Sequence, residues 1–155
     1  MAQKSKKEHI IQTALSLFLE HGFKGTSVDL VVKISGVSKP TVYNHFPDKA
    51  ALMHSVIETW VGTHQPDLSS IKNALTLKQV IEQKWLTSEA VSLYALVIGE
   101  GRRFPDAKKL FWDLFDESWQ KALINATHNQ ALALPINQTV QILIDQCLLR
   151  QLKNV

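Results

Sequence analysis

Five side chains able to make directed hydrogen bonds, Lys39, Thr41, Tyr43, Asn44 and His45, fall on the outward side of one short expected helix. Ser38 stands at its N-cap, Pro40 sits in the first turn where a missing N–H is harmless, and Val42 and Phe46 turn toward the core. A merely solvated helix carries glutamate beside lysine, but this outward face has no acid. One cation, a hydroxyl, a phenol, an amide and an imidazole suit a helix laid in the major groove of duplex DNA. There, residues near the helix N-terminus meet base edges and flanking donors meet phosphates. Lys39, Thr41 and Asn44 are expected toward base edges, and Tyr43, His45 and Lys49 toward phosphates.

Such a face needs a rigid mount, and the flanking sequence supplies one. Ser27 to about Ile34 reads as a preceding helix, with Thr26 or Ser27 as its cap and Val28, Val31, Val32 and Ile34 as its apolar side. Ser35-Gly36-Val37 forms the turn, where Gly36 takes a positive φ and Val37 adds an apolar contact. Before these, Lys6 to His21 repeats Ile10, Ile11, Ala14, Leu15, Leu17, Phe18 and Leu19 at helical spacing, and Gly22 ends that platform. Afterwards Pro47 stops the outward-facing helix. Asp48 caps a connector helix, about 48–64, whose stripe is Ala51, Leu52, Val56, Ile57 and Trp60.

The run from Thr26 to Lys49, TSVDLVVKISGVSKPTVYNHFPDK, resembles the DNA-binding domain of TetR-family transcriptional regulators, with the likeness extending over Glu8 to about Ile57. The resemblance implies an all-α chain: a three-helix helix-turn-helix domain at 1–49, and a helical effector-binding and dimerisation domain at 50–155 that the connector joins to it. It implies a homodimer on a palindromic double-stranded DNA operator, a repressor role, and release by a small-molecule effector. The residues it places on DNA are Thr26, Ser27, Ser38, Lys39, Pro40, Thr41, Tyr43, Asn44, His45 and Lys49. Lys49 would hold a phosphate beside the free amides of the connector. Val32 and Ile34 depart from the family, which usually has alanines there.

Charge agrees with a polyanionic partner. Residues 1–49 hold seven lysines against four acids, whereas the remainder holds ten of each sign, so the whole net charge of +3 lies in the first third. In that remainder, Leu77, Val80, Ile81 and Trp85 mark one helix, and Ala90 to Ile98 mark another that is apolar nearly all round. A single long helix is expected from Asp106 to about Thr127. A last seam, Ile136, Val140, Leu143, Ile144, Cys147, Leu148 and Leu152, offers a dimer surface. The segment LYALVIGEGRRFPDAKKLFWDLF resembles the ligand-binding domain of a subgroup of the same family, and GEGRRFP reads as a corner between helices. Trp60, His64, Trp85, Tyr94, Phe111 and Phe115 are the candidate lining of an apolar or aromatic effector site, and each has the alternative of plain core.

Other classes find little support. The six histidines and Cys147 show no ligand spacing, so no metal and no cofactor are expected. No serine, histidine or aspartate stands in a catalytic context, which argues against an enzyme. The basic N-terminus leads into an amphipathic segment and not a secretory core. No apolar run reaches the roughly 20 residues that span a bilayer, so a cytoplasmic protein with no membrane partner is expected. The rival reading is a ligand-binding or scaffolding protein of the same fold without specific DNA binding.

Overall fold

The computed structural model describes residues 5–129 and Asp145. They are all-α, with no strand among them. The expected seam from Ile136 to Leu152, with the dimer positions Leu143, Cys147 and Leu148, lies outside the described residues. The chain divides into two compact units: residues 1–63 with 95–111, and residues 64–94 with 112–155.

In the first unit, α1 (Lys6–Gly25) opens with Ser5 and Glu8 capping each other's backbone amides. Its regular part stops at Gly22, whose φ of 71° is a conformation that residues with a Cβ rarely adopt. α2 (Val28–Ser35) is capped by the Ser27 hydroxyl, which accepts from the Leu30 amide. It ends at Gly36, left-handed at φ 66°, whose N–H returns to the Val32 carbonyl. α3 (Lys39–His45) comes next, then α4 (Lys49–Thr63), where the Asp48 carboxylate accepts from the Ala51 amide as a cap should. Ile10, Ala14, Phe18, Val31, Val42, Phe46, Leu52 and Ile57 close the core between these helices. The imidazole of His9 also ties α1 to the end of α2. Its Nε2 lies 3.0 Å from the Ser35 carbonyl oxygen, which only accepts, so Nε2 carries the proton.

Two local expectations change. Ile34, expected on the apolar side of α2, is 58% exposed: in an eight-residue helix Val28 and Val31 already face the core and Ile34 falls outside that arc. Ser38 occupies the N-cap of α3 without bonding to a backbone amide, because its hydroxyl pairs instead with that of Thr41 at 2.8 Å.

The compact units do not divide at residue 49. α4 packs on α1 and on α7 (Pro105–Phe111), and residues 95–111 belong with the N-terminal helices. α6 (Ser88–Glu100) contributes residues to each unit and ends in the 3₁₀ turn Gly101–Arg103, the corner expected from GEGRRFP. Apolar nearly all round in sequence, α6 still leaves Ile98 67% exposed.

The second unit contains α5 (Ala74–Val80), capped by Asn73, and a π-helical turn at Ile81–Trp85. The single long helix expected from Asp106 onward is instead two helices, α7 and α8 (Glu117–Asn129), joined through a second π turn at Trp112–Asp116. A π turn adds a residue to one turn and so rotates the side chains beyond it about the helix axis. Leu114, placed on the buried stripe by a 3.6 period, is therefore 51% exposed while Phe115 is fully buried.

Candidate nucleic-acid interface

The outward side of α3 is assembled as its sequence demands. Val42 and Phe46, 0% and 1% exposed, fix the helix from beneath. Ser38, Lys39, Pro40, Asn44 and His45 are exposed, while Thr41 and Tyr43 are half-buried at the flank. Ser27, at the start of α2, is also exposed.

Thr26, expected at the interface, is withdrawn from it. It is 1% exposed, and its hydroxyl lies 2.9 Å from the carbonyl oxygens of both Leu17 and Gly22. It closes the carbonyls left open where Gly22 interrupts the helix. Lys49 is likewise engaged inside the protein. Its Nζ donates to the Phe23 carbonyl at 2.7 Å and stands 4.5 Å from the centre of the Phe23 ring. An ammonium has three protons, so two remain for other acceptors.

The face is not free of acid once folded. Asp29, in the first turn of α2, reaches α3: its Oδ1 lies 2.9 Å from Lys39 Nζ and accepts from the Tyr43 hydroxyl at 3.3 Å. The hydrogen bond to Lys39 holds the Asp29 carboxyl below the ordinary carboxylate value, and the same bond raises the Lys39 ammonium. Periodicity within α3 carries no information about a side chain arriving from α2, so the sequence pattern does not reveal Asp29.

Glu100 is hidden from the sequence for the same reason. Its Oε1 accepts from the Phe23 amide and its Oε2 from the Lys24 amide, each at 3.0 Å, across 77 and 76 residues of chain. These are the amides just after Gly22. The Phe23 ring stacks on Phe18 at 5.8 Å and meets Phe104 at 4.8 Å. Phe23 is thus gripped at its N–H by Glu100 and at its carbonyl by Lys49.

Five of the six expected effector residues lie in core positions, and His64 is half-buried. Trp60 and Phe111 stack at 6.2 Å in the first unit, 4% and 0% exposed. In the second unit, Trp85 stacks on Trp119 at 6.1 Å, and Tyr94 packs on Phe115 at 6.0 Å. The His64 carbonyl there accepts from the Trp119 indole at 3.0 Å. A separate groove of about 300 Å³ in the first unit is lined by Asp48, by Ala51 and His54 of α4, and by Phe104, Pro105 and Asp106. None of the six residues lines it.

A polar chain runs through the aromatic core of the second unit. The Trp85 indole donates to the Tyr94 oxygen at 3.1 Å, Tyr94 donates to Asp116 at 2.5 Å, and the Gln120 amide holds the other carboxylate oxygen at 2.7 Å. Burial pushes the Tyr94 phenol up, keeping it neutral and donating. Burial also pushes the Asp116 carboxyl above the ordinary range, outweighing the bonds from Tyr94 and Gln120 that lower it. A folded-state value above the unfolded one favours the protonated native state. The contribution of Asp116 is therefore fullest below about pH 4, the unfolded value, and is lost as pH rises through the folded value. Urea melts across that range should show wild-type stability falling more steeply with pH than that of Asp116→Asn; equal slopes would rule this out.

Comparison with known proteins adds four findings. Residues 10–56 match the family model described as bacterial regulatory proteins, tetR family. The chain is 36% identical over 73 residues to an uncharacterised HTH-type transcriptional regulator, YerO, of Bacillus subtilis, covering 47% of this chain and 25% of that protein. It thus spans about a quarter of the length of that relative. Among solved structures, GusR of Salmonella enterica superposes with a TM-score of 0.66 at 20% identity, covering 94% of this chain and 81% of that one. The flavonoid-responsive regulator FrrA superposes with a TM-score of 0.59 at 25% identity, covering 96% of each chain.

Proposed function

We propose that the chain, whose residues 10–56 match the TetR-family model, is a TetR-family transcriptional regulator that binds operator DNA through α3, and that it acts as a repressor released by a small apolar or aromatic effector. The observation that carries this reading is the exposed polar side of α3, mounted on buried Val42 and Phe46 behind the left-handed turn at Gly36. Ser27, Ser38, Lys39, Pro40, Thr41, Tyr43, Asn44 and His45 are its DNA-facing residues. Two copies would address a palindrome with half-sites about 34 to 36 Å apart. An aromatic effector is supported by the aromatic content of the second unit and by a flavonoid-responsive protein among the structural neighbours. Because effector and operator would report on one conformational equilibrium, each would weaken the other by the same factor.

The test is selection of duplexes from a random pool by the purified protein. Enrichment of an inverted repeat is expected, and binding that remains equal across sequences at physiological salt would overturn the reading in favour of a ligand-binding or scaffolding role.

Lys49 separates two contributions. Lys49→Met should lower stability in urea by about 1–2 kcal/mol, the worth of a charge-assisted hydrogen bond. If its remaining protons also meet a phosphate, the salt slope of DNA binding should flatten by about one unit. An unchanged slope with lowered stability would confine Lys49 to the fold.

A further inference from the structure

We propose that Glu100 is a positioning residue for DNA recognition: acting on the backbone and not on DNA, its carboxylate fixes the path of the chain between α1 and α2, and with it the pose in which α3 is offered. The inference rests on the reading of α3 as the DNA-binding helix, and it adds to that reading a residue from the far end of α6.

The segment that Glu100 holds has little stiffness of its own. Between the regular part of α1 and the Ser27 cap of α2 the chain runs Gly22-Phe23-Lys24-Gly25-Thr26, with a glycine on either side of the two gripped residues. Gly22 sits at φ 71°, and glycine has the widest choice of backbone conformations, so the segment itself does little to select the direction in which α2 departs. Side chains from elsewhere do so. Glu100 Oε1 accepts from the Phe23 amide and Oε2 from the Lys24 amide, each at 3.0 Å, a two-point grip that orients both N–H groups. Lys49 takes the Phe23 carbonyl at 2.7 Å. Glu100 is itself steadied: Arg103 Nε lies 3.8 Å from Oε2, and the Glu100 side chain is only 26% exposed.

The DNA-facing residues begin with Ser27, shortly after the grip, and α3 packs on both α1 and α2. A change of direction at Phe23 and Lys24 therefore moves α2 and α3 against α1. Contacts to base edges depend on hydrogen bonds that hold only within about 2.7–3.2 Å, whereas attraction to phosphates carries no sequence information and tolerates displacement. Loss of the grip thus falls on sequence-specific binding first. Charge alone argues the reverse: Glu100 is an acid in the unit that would meet a polyanion, and deleting it should tighten binding to every duplex.

The experiment measures wild type, Glu100→Ala, Glu100→Gln and Ile57→Ala on the best duplex that wild type selects from a random pool and on a scrambled duplex, at a temperature where circular dichroism shows each variant fully folded. Ile57 is a fully buried residue of α4 in the same unit and controls for general loosening. Glu100→Ala should weaken binding to the selected duplex by about 5- to 150-fold, the span of coupling between remote groups, while affinity for the scrambled duplex holds or rises. Glu100→Gln keeps one acceptor and should fall between, and Ile57→Ala should bind as wild type does. Sodium acetate at constant ionic strength should restore part of the affinity lost in Glu100→Ala, since acetate replaces the atoms removed, and should do nothing for wild type. Affinity for the selected duplex that is unchanged or raised in Glu100→Ala would overturn the proposal. So would an equal loss in Ile57→Ala, or a loss that acetate leaves untouched. If wild type enriches no sequence, the DNA-binding reading itself falls, an outcome reached before any variant is compared.

Discussion

Replacing Phe111 with alanine is expected to destabilise the protein by about 3–5 kcal/mol, the range for removing a fully buried aromatic ring. Phe111 is 0% exposed and stacks on Trp60, itself 4% exposed, so truncation removes buried ring contacts and leaves a cavity. The sequence alone leaves Phe111 divided between core and effector lining, and these have opposite signatures. A lining residue tolerates truncation, since its space already exists, and loses mainly ligand affinity. A core residue loses stability before any ligand is added. Equilibrium urea denaturation without effector distinguishes them, and a loss below about 1 kcal/mol would return Phe111 to the lining.

The second large effect is expected at Glu100. Its two carboxylate oxygens accept from the Phe23 and Lys24 amides at 3.0 Å, and the first of these bonds is partly shielded from water. Glu100→Ala leaves both donors without their acceptor and should destabilise by about 2–3 kcal/mol, the worth of charge-assisted bonds when one partner is deleted. Glu100→Gln keeps one acceptor but turns an amide toward the other N–H, so an intermediate loss is expected. Gly22→Ala attacks the same junction from the opposite side: its new Cβ would lie 2.7 Å from Glu100 Oε1, on a residue held at φ +71°. All three melts should be lowered, and a Glu100→Ala protein as stable as wild type would mean that water replaces the carboxylate without loss.

How much the sequence discloses depends on the range of each interaction. The left-handed turn at Gly36, the proline in the first turn of α3 and the Asp48 cap are decided within four or five residues, and each is found where local pattern puts it. The same holds for Val42 and Phe46 as the buried mount of α3. Asp29 is different: its role depends on the angle between two helices, which no single-helix periodicity contains. Lys49 shows a related limit, since a cation at a helix start suits a phosphate and a nearby carbonyl equally, and only the position of Phe23 decides that one proton turns inward. The π turns at Ile81–Trp85 and Trp112–Asp116 defeat a 3.6-residue period directly, exposing Leu114 where the period predicts burial.

The grip on Phe23 also bears on the order in which the protein is made. A ribosome delivers α1 to α4 first, and local helix formation is fast compared with synthesis at about 5–20 residues per second. At that moment the Phe23 and Lys24 amides have no carboxylate, and the Phe23 ring has Phe18 but not Phe104. The missing groups arrive with residues 100 to 104, several seconds later by that rate. α3 is therefore present on the nascent chain well before the junction after Gly22 is locked. Closing a loop of nearly eighty residues, and not forming the helices, becomes the slow commitment of the first unit.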